Sequence, residues 1–464
     1  MSTIWAAAEI AEATGGTAHG DFAISGVAFD SREVGPGDLF IAMRGEQADG
    51  HDYIAGALDN GAAGVISEKP FGDAPHVLVK DSFAALNALG HAARARSRAV
   101  IIGVTGSAGK TGTKEALYLS LDRAPARSAH RSVKSYNNHV GVPLSLARMD
   151  PAADYGVFEM GMNHAAELSA LTQIVRPHIA IITTVAPVHI EHFDDESGIA
   201  HAKAEIFEGL EPDGTAIIPI DNPHYPILRA KAETCATHIL TFGRHEEADI
   251  RLIDAVPAME GGTLVTARLL DRMLVYRVAE SGEHWAMNSL SVMAAVHAAG
   301  GDLALAGLAM AELPGLAGRG ATHDVKLKDG GSVRLVDESY NANPASMAAT
   351  LKTFADKAAG RKIAVLGTMG ELGDFSERYH AELAGPVTDA GVDHCILVGE
   401  EMQILGKRLA SAVEYQGGFD HVADASVALD RLKAIMADGD TILIKGSNSV
   451  NLGSVVRALT DGET

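Results

Sequence analysis

The stretch that most constrains the fold of this chain runs from Ala99 to Lys114 and reads AVIIGVTGSAGKTGTK. An apolar run rich in β-branched residues, Val100–Val104, gives way to glycine and other small residues, and a helix-like pattern follows over Glu115–Leu121. The pattern predicts a strand, a tight loop and a helix. At such a junction the loop N–H groups can surround a phosphate chain at the positive end of the helix, whereas an ordinary glycine turn is the alternative.

The loop carries the residues that an ATP site needs. Lys110 supplies a positive charge for the phosphates, and Thr111 supplies a hydroxyl for Mg²⁺. The spacing departs from that of the common P-loop, because Val104 and not a glycine stands five residues before Gly109. We expect the nucleotide to lie against the segment formed by Gly106, Ser107, Ala108, Gly109, Lys110, Thr111 and Gly112.

Length and charge limit what the chain can be. Its 464 residues exceed what one hydrophobic core usually serves, which predicts two or three domains. The net charge of −22 argues against nucleic acid and anionic membranes as partners, so cations that bind a nucleotide must be local. No apolar run is long enough to cross a bilayer and the N-terminus lacks a signal-peptide pattern, so we expect a cytoplasmic protein.

The N-terminal region, up to about residue 82, alternates short apolar runs with turns and predicts a small α/β domain. A helix follows over Phe83–Ala95, with Ser82 as its candidate N-cap. Within this region Asp30, Ser31 and Arg32 come directly after a strand-like run. They form either a solvated turn or a loop that binds an anionic, hydroxyl-rich ligand.

The middle third adds three apolar strand patterns that alternate with helical ones. This alternation predicts a mostly parallel sheet covered on both faces, in which ligands gather beyond the carboxyl ends of the strands. Glu159 closes the first of these strands, and His189 follows the second. Together with Thr111 they offer ligands to Mg²⁺, although a solvated glutamate and an ordinary loop histidine are the alternatives.

Lys203 lies in the helical pattern IAHAKAEIF, among alanine and large apolar residues. A surface lysine on an amphipathic helix is the ordinary interpretation. The alternative is that partial burial lowers its pKa, so that a neutral amine traps CO₂ as a carbamate. The carbamate would replace a cation by an oxygen ligand able to bridge Mg²⁺ ions.

The last third carries four apolar strand patterns that alternate with helices, and it predicts a second doubly wound α/β unit. Gly367, Gly370 and Gly373 stand at every third position and not in the Gly-x-Gly-x-x-Gly order. These glycines therefore give little support to an NAD site.

Ordered motifs along nearly the whole chain resemble those of the Mur ligases of peptidoglycan synthesis. The motifs are DSR at 30–32, TGSAGKT at 105–111, NNHVGVP at 137–143, EMGMNH at 159–164, AKAEI at 202–206, NSL at 288–290, GRG at 318–320, DESYNANPASM at 337–347, LGTMGELG at 366–373 and IKGS at 444–447. In that family the loop spacing found here is the usual one.

The resemblance implies an α/β protein of three domains. These are a small N-terminal α/β domain at 1–82 that binds a UDP-sugar-peptide, a central P-loop domain with a mostly parallel sheet at 83–313 that binds ATP, and a Rossmann-like C-terminal domain at 314–464. The last would bind the amine substrate and close over ATP about a hinge at 314–319. The implied enzyme is a monomeric, ATP-dependent ligase that joins D-alanyl-D-alanine to UDP-N-acetylmuramoyl-tripeptide through an acyl phosphate, with no nucleic acid partner and no membrane insertion.

The resemblance also implies roles for single residues. The catalytic residues would be Lys110, Glu159, His189 and Lys203. The Mg²⁺ ligands would be Thr111, Glu159, His189 and the carbamate on Lys203. Beyond the phosphate loop, the nucleotide would contact Asn137, Asn288, Arg319 and Asp337. The substrates would contact Asp30, Ser31, Arg32, Asn341 and Asn343.

Two positions depart from the family pattern. Trp285 follows His284 where relatives commonly have asparagine, and Asn448 follows the IKGS motif where many have arginine. The departures concern the nucleotide pocket and leave the triphosphate and metal positions unchanged.

Three other functions are weighed against this one. The related ligase that adds the third amino acid should carry Asp-Asn-Pro-Arg in its C-terminal domain, where this chain has SYNANP at 339–344. Relatives of folylpolyglutamate synthase lack the domain with the DSR motif. A nucleotide-gated switch would hydrolyse ATP slowly, without the dependence on both substrates that a ligase has.

Overall fold

The computed structural model describes residues 3–45, 48–328 and 330–462. Within these ranges the strands form four sheets, which lie in three successive α/β units. The α/β class and the three-unit arrangement are confirmed. Within the same ranges, no helix combines the length and apolar character needed to cross a lipid bilayer.

The N-terminal unit is built on a five-stranded sheet with the order β2-β7-β6-β5-β4, beside a two-stranded ribbon of β1 and β3. Only β2 runs antiparallel to its neighbour in the five-stranded sheet. Its elements are β1 (Trp5–Ala6), α1 (Ala7–Thr14), β2 (Thr17–His19), β3 (Ala23–Ile24), β4 (Gly26–Ala28), β5 (Asp38–Ile41), α2 (Ile54–Asp59), β6 (Gly64–Ser67) and β7 (His76–Leu78).

The central unit contains a nine-stranded sheet with the order β16-β15-β14-β13-β12-β11-β8-β10-β9. The strands from β9 through to β14 in this order are parallel, and β14, β15 and β16 form an antiparallel meander at one edge. Its elements are α3 (Ser82–Arg96), β8 (Val100–Thr105), α4 (Lys110–Asp122), β9 (Ala129–Arg131), α5 (Gly141–Ala147), β10 (Tyr155–Glu159), α6 (Glu167–Val175), β11 (Ile179–Ile182), α7 (Glu196–Ala204), β12 (Thr215–Pro219), α8 (Tyr225–Cys235), β13 (His238–Gly243), β14 (Ile250–Pro257), β15 (Thr263–Leu269), β16 (Arg272–Val278), α9 (Glu283–Ala298) and α10 (Leu303–Ala311).

The register around β8 decides where the functional loops emerge. β8 lies between β10 and β11, and all three strands are parallel. Glu159 at the end of β10 is level with Val104, and Ile182 at the end of β11 is level with Thr105. The loops after these three strands therefore leave the sheet at the same edge, which is where ligands bind in parallel α/β sheets.

Alternate residues of β8 pack into separate cores on the two faces of the central sheet. Ile101 belongs to a core that includes Phe158, whereas Ile102 and Val104 belong to a core that includes Leu290 of α9. All of these side chains are fully buried. Because both faces are covered, the strand is apolar from Val100 to Val104, as its sequence indicated.

The C-terminal unit has a six-stranded sheet with the order β17-β18-β22-β19-β20-β21, in which only β17 is antiparallel. Its elements are β17 (Ala321–Lys326), β18 (Ser332–Glu338), α11 (Pro344–Lys357), β19 (Lys362–Gly367), α12 (Ser376–Glu382), α13 (Ala384–Asp389), β20 (His394–Val398), α14 (Met402–Ser411), β21 (Gly418–Val422), α15 (Ala425–Ile435), β22 (Thr441–Lys445) and α16 (Gly453–Thr460).

One local prediction was wrong. The helix α3 begins at Ser82, and its N-cap is Asp81, whose Oδ1 accepts a hydrogen bond from the Ala84 N–H at 2.8 Å. The Ser82 side chain is buried instead. The reason is that Asp81, with an extended backbone, supplies the capping carboxylate one residue earlier, while the Ser82 N–H donates to Glu68 Oε1 at 3.1 Å.

Leu443 in β22 tests the contribution of the C-terminal core. The side chain is fully buried, so Leu443→Ala should lower the free energy of unfolding by about 2–5 kcal/mol through lost burial and a residual cavity. Urea unfolding followed by circular dichroism measures the change. Leu308→Ala is the control, because Leu308 is 53% exposed and should change the stability little; equal effects of both substitutions would contradict the prediction.

Candidate active site

The phosphate loop between β8 and α4 has a backbone that only glycine can adopt at two positions. Gly106 has φ +148° and Gly109 has φ +81°. A Cβ on Gly106 would lie 1.9 Å from Thr183 Oγ1, and one on Gly109 would lie 2.6 Å from Asn288 Nδ2. The loop is therefore a close-fitting backbone cradle at the N-terminus of α4, as an anion site requires.

The segment after β11 fixes the shape of this loop. Ser107 Oγ donates to Ala186 O and accepts from the Ala186 N–H, both at 2.9 Å. Thr183 Oγ1 donates to Ala108 O at 2.5 Å. The hydroxyl of Ser107 is thus engaged within the protein, and the contacts that Ser107 and Ala108 could offer a phosphate come from their backbone.

Lys110 lies at the centre of the charged groups of the site. Its Nζ donates to Gly106 O at 2.7 Å. Burial lowers the pKa of Lys110, while the negative charges of Glu159 and Glu371 raise that pKa and the positive charge of Arg319 lowers it. Groups from the central unit and from the C-terminal unit therefore act on one ammonium.

Glu159 is a buried acidic group of the site with hydrogen bonds at both its carboxylate and its backbone. Its carboxylate accepts from Thr111 Oγ1 at 2.9 Å and from Asn137 Nδ2 at 2.8 Å, and its backbone N–H donates to Ser132 Oγ at 2.9 Å. The residue is 1% exposed. The structure thus brings together Thr111, Asn137 and Glu159, which supply the hard oxygen donors that Mg²⁺ prefers.

His189 faces the C-terminal unit. Its Nδ1 lies 2.6 Å from Glu371 Oε2, and this contact lowers the pKa of Glu371 while burial opposes the shift. His189 has φ +58° and Glu371 has φ +60°, a left-handed conformation that is uncommon for residues other than glycine. Sequence reasoning did not single out Glu371, although it lies in the LGTMGELG motif.

Lys203 is buried, at 2% exposed, and so is not the surface lysine of the ordinary interpretation. Burial lowers its pKa well below the usual range, and the positive charge of Lys110 lowers it further. Within the described ranges, no acceptor takes a hydrogen bond from Lys203 Nζ and no carboxylate pairs with it. Burial without a partner therefore disfavours the charged form of this side chain relative to that of an exposed lysine.

Arg319 and Asp337, the two residues of the C-terminal unit that are predicted to contact the nucleotide, have different surroundings. The guanidinium of Arg319 stacks over the Tyr340 ring at 3.9 Å. Asp337 is 5% exposed; its Oδ2 accepts from the Gly318 N–H at 2.8 Å and its Oδ1 from Ser339 Oγ at 2.6 Å. Asp337 therefore holds the predicted hinge loop, and its oxygens are already bound by protein donors.

The predicted substrate contacts in the C-terminal unit also have protein partners. Asn343 is the N-cap of α11, since its Oδ1 accepts from the Ser346 N–H at 2.9 Å. Asn341 is exposed, and its backbone carbonyl accepts from Lys445 Nζ at 3.0 Å. Burial lowers the pKa of Lys445. Asn341 is thus the freer of the two side chains to meet a ligand.

The DSR motif forms an exposed loop in the N-terminal unit. Arg32 donates to both carboxylate oxygens of Asp30, at 2.9 and 2.6 Å, and this pairing lowers the pKa of Asp30. The Arg32 side chain is nevertheless 87% exposed. Ser31 begins a short 3₁₀ turn, and its carbonyl accepts from Asn60 Nδ2 at 2.9 Å.

Glu33, the residue that follows the DSR motif, contacts the central unit. Glu33 Oε1 accepts from Lys134 Nζ at 2.5 Å and from Tyr136 Oη at 2.9 Å. Lys134 and Tyr136 lie directly before Asn137, which binds the Glu159 carboxylate. The DSR loop and the phosphate loop are thereby connected through a short run of residues.

A cavity of about 260 Å³ lies between the central and C-terminal units. His284 and Trp285 in the first turn of α9 line it, and the Trp285 ring lies 2.6 Å from the place where a Cβ on Gly112 would be. The other lining residues are Glu280, Ser281, Gly320, Thr322, Asp324, Arg334, Val336, Glu338, Thr350, Thr353, Phe354, Lys357, Ala358 and Thr441. Trp285 thus fills space against the helix of the phosphate loop.

Two ionisable residues that line the cavity have pKa values shifted far from their ordinary values. Burial raises the pKa of Glu280 to about 7, with the nearby charge of Lys357 opposing and that of Glu338 adding to the shift. Burial also lowers the pKa of His284 to about 4, helped by the positive charges of Lys445 and Lys357. Glu338 follows Asp337 in β18, and it is Glu338 that faces the cavity.

Comparisons with known protein families cover most of the chain. The family model described as the Mur ligase middle domain matches residues 104–296. The model of the Mur ligase glutamate ligase domain matches residues 325–448, and that of the Mur ligase family catalytic domain matches residues 23–117.

Three individual proteins illustrate the similarity. The UDP-N-acetylmuramoyl-tripeptide–D-alanyl-D-alanine ligase of Rickettsia prowazekii (strain Madrid E) is 33% identical over 434 residues, which are 93% of this chain and 94% of that protein. The crystal structure of MurF from Acinetobacter baumannii has a TM-score of 0.83 and 27% identity, over 98% of this chain and 99% of that one. The structure of MurF ligase from Thermotoga maritima in complex with ADP has a TM-score of 0.77 and 26% identity, over 94% and 97% of the two chains.

The raised pKa of Glu280 gives a pH-dependent stability. The pKa is about 7 in the folded protein against an ordinary value of 4.5, so the stability present below about pH 4.5 is lost as the pH rises to about 7. Glu280→Gln removes this loss. At pH 8 the variant should be more stable than the wild type by roughly 2 kcal/mol, after allowance for partial solvent screening, and at pH 4.5 about equally stable.

Urea unfolding at the two pH values measures this difference. Glu260→Gln, in the exposed turn between β14 and β15, is the control and should give the same difference at both pH values. A Glu280→Gln protein that is less stable than the wild type at pH 8 would contradict the assignment.

Proposed function

The chain belongs to the Mur ligase family, and we propose that it joins D-alanyl-D-alanine to UDP-N-acetylmuramoyl-tripeptide while converting ATP to ADP and phosphate. The near full-length similarity to the Rickettsia prowazekii ligase, whose name gives these two substrates, supports their choice. The observation that carries the chemistry is the set of charged groups around Lys110, which come from the phosphate loop, from the end of β10 and from the C-terminal unit.

We propose that ATP spans the phosphate loop and the cavity between the central and C-terminal units. His284, which lines the cavity, and Asn288, which lies over Gly109, are four residues apart on α9 and so share one face of that helix. The phosphates would lie against the loop backbone and Lys110, and the adenosine would enter the cavity. Glu338 faces that cavity and is a better candidate than Asp337 for a ribose hydroxyl.

Four residues would hold Mg²⁺, namely Thr111, Glu159, His189 and Lys203. The Mg²⁺ ion, when bound, would neutralise charge on the terminal phosphates. The hydroxyl of Thr111 and the carboxylate of Glu159 already touch, which supports a shared ligand set. Lys203 fits the carbamate role because burial disfavours its charged form, and a neutral Nζ can attack CO₂, forming an N–C bond and releasing one proton.

The reaction then needs two steps. A carboxylate oxygen of the tripeptide attacks the γ-phosphate of ATP, ADP leaves, and Lys110 offsets the negative charge that develops. The amine of the dipeptide attacks the acyl phosphate carbonyl, loses a proton, and expels phosphate to give the amide. Water would hydrolyse the acyl phosphate, so the site has to exclude water, and the contact of Glu371 with His189 would help to hold the central and C-terminal units together during the reaction.

The N-terminal unit would bind the UDP-sugar-peptide through the DSR loop. The exposed guanidinium of Arg32 suits an anionic group, and Glu33 connects this loop to the residues before Asn137.

The ATP requirement also supports a cytoplasmic location, because ATP is supplied there.

A product assay tests the proposal. The protein is incubated with Mg-ATP, D-alanyl-D-alanine and, in separate reactions, UDP-muramoyl-tripeptides with meso-diaminopimelate or lysine as third residue, and the products are weighed by mass spectrometry. We expect one pentapeptide per ATP consumed, and no ADP when either substrate is omitted. Steady ATP hydrolysis without amide formation would identify a switch and overturn the proposal.

Lys110→Ala should abolish acyl phosphate formation. The variant lacks the charge that offsets the γ-phosphate in the transition state, and kcat should fall at least about a hundredfold. Rapid-quench assays with radiolabelled γ-phosphate measure the intermediate. Lys231→Ala removes a lysine on α8 that pairs with Glu208 and is the control; wild-type turnover by Lys110→Ala would contradict the assigned role.

Lys203→Ala should lose activity that a small carboxylic acid partly restores. The substitution leaves a buried space next to Lys110, and acetate or formate can supply the lost carbamate oxygens there. Turnover is measured against acid concentration at constant ionic strength. Lys110→Ala is the matched comparison, since an added acid cannot replace a cation; equal rescue of both variants would argue against a carbamate.

A further inference from the structure

Lys114 is a fully buried lysine that neither the phosphate loop motif nor the predicted ligand set uses. It lies on α4, one turn beyond Lys110, with no exposed side-chain surface. Its Nζ is 3.1 Å from Glu115 Oε1 and 3.8 Å from Glu159 Oε2. A buried ammonium is costly unless charged and hydrogen-bonded partners surround it, so this placement requires the groups described next.

The same ammonium binds the backbone that follows β9. Lys114 Nζ donates to Ser132 O at 3.4 Å and to Lys134 O. Ser132 Oγ in turn accepts from the Glu159 N–H, and Asn137 binds the Glu159 carboxylate. Lys114 therefore touches Glu159 directly and also holds the segment whose other residues fix both ends of Glu159.

The held segment includes a strained residue that reaches the N-terminal unit. Lys134 has φ +49°, a backbone conformation that residues other than glycine rarely adopt without support. Its carbonyl accepts from Lys114, and its side chain pairs with Glu33 beside the DSR loop. One ammonium thus connects the phosphate-loop helix, the acidic end of β10 and the contact with the N-terminal unit.

The charges around Lys114 balance locally. Glu115 also pairs with Arg131, at 2.9 Å from Nε to Oε2, so two cations face the carboxylates of Glu115 and Glu159. Removal of Lys114 would leave Arg131 paired with Glu115 and only the charge of Lys110 acting on Glu159, and it would leave the carbonyls of Ser132 and Lys134 without this donor. The side chain is built into a network and does not simply fill space.

We propose that Lys114 is a positioning residue that fixes the Glu159 carboxylate for Mg²⁺ and holds the 132–137 segment in place. This inference rests on the proposed function. The alternative, in which Lys114 is only a nearby positive charge, has the opposite consequence for the metal. A cation 3.8 Å from a metal-binding carboxylate repels Mg²⁺, so its loss would strengthen Mg²⁺ binding, whereas loss of a positioning group weakens it.

Lys114→Met distinguishes a positioning role from a simple repulsive charge, because the Mg²⁺ concentration that ligation requires would rise in the first case and fall in the second. We expect the Mg²⁺ concentration for half-maximal ligation to rise about tenfold, with kcat also reduced, because Glu159 is no longer held. Thr113→Val is the matched control: its hydroxyl is buried in the same helix turn without a hydrogen-bond partner in the described ranges, and the Mg²⁺ requirement should not change. An unchanged or lower Mg²⁺ requirement in Lys114→Met would overturn the proposal.

A second variant guards against a folding defect. Ser132→Ala keeps Lys114 and removes the hydroxyl that binds the Glu159 N–H, so it should raise the Mg²⁺ requirement in the same direction by a smaller factor. Thermal unfolding of all variants without Mg²⁺ shows whether the fold is retained. If Lys114→Met does not fold, an unchanged Mg²⁺ requirement in Ser132→Ala overturns the proposal. Failure of the wild type to make the pentapeptide would instead refute the proposed function.

Discussion

The site depends on positive charge brought into the interior beside one loop of an otherwise acidic chain. The net charge is −22, yet Lys110 and Lys114 place positive charge beside the phosphate loop and the end of β10, and the amine of Lys203 is close enough for the charge of Lys110 to act on it. Lys114 is balanced by carboxylates, whereas no carboxylate in the described part of the chain pairs with Lys203, on which the positive charge of Lys110 acts. Burial of unbalanced charge is unfavourable, so the site favours anionic ligands and disfavours the charged form of Lys203.

Sheet topology explains how residues far apart in sequence meet there. Because β8 lies between β10 and β11 in a parallel register, the ends of three strands reach one edge of the sheet. Thr183 and Ala186 after β11 then shape the loop after β8 by hydrogen bonds to Ala108 and Ser107. The phosphate cradle is therefore part of the fold, and a nucleotide does not have to organise it.

The sequence predicts the parts of the site that have local signals. The glycines of the loop and the strand-end position of Glu159 are readable from neighbouring residues, and both have the predicted placement in the fold. Glu371 and Lys114 were missed because their partners, His189 and the segment after β9, are brought to them only by tertiary structure. Side chains that are adjacent in a strand, such as those of Asp337 and Glu338, point to opposite sides of the sheet. The sequence could therefore not decide which of these two acids faces the cavity.

The contact between the central and C-terminal units is coupled electrostatically to Lys110 in the phosphate loop. Glu371 touches His189 and acts on Lys110, while Tyr379 Oη donates to Glu196 Oε1 at 3.4 Å across the same boundary. Any ligand that changes the charge felt by Lys110 therefore changes the strength of the contact between the units. Because such coupling is reciprocal, any change in this contact must equally change the affinity of the loop for its ligand.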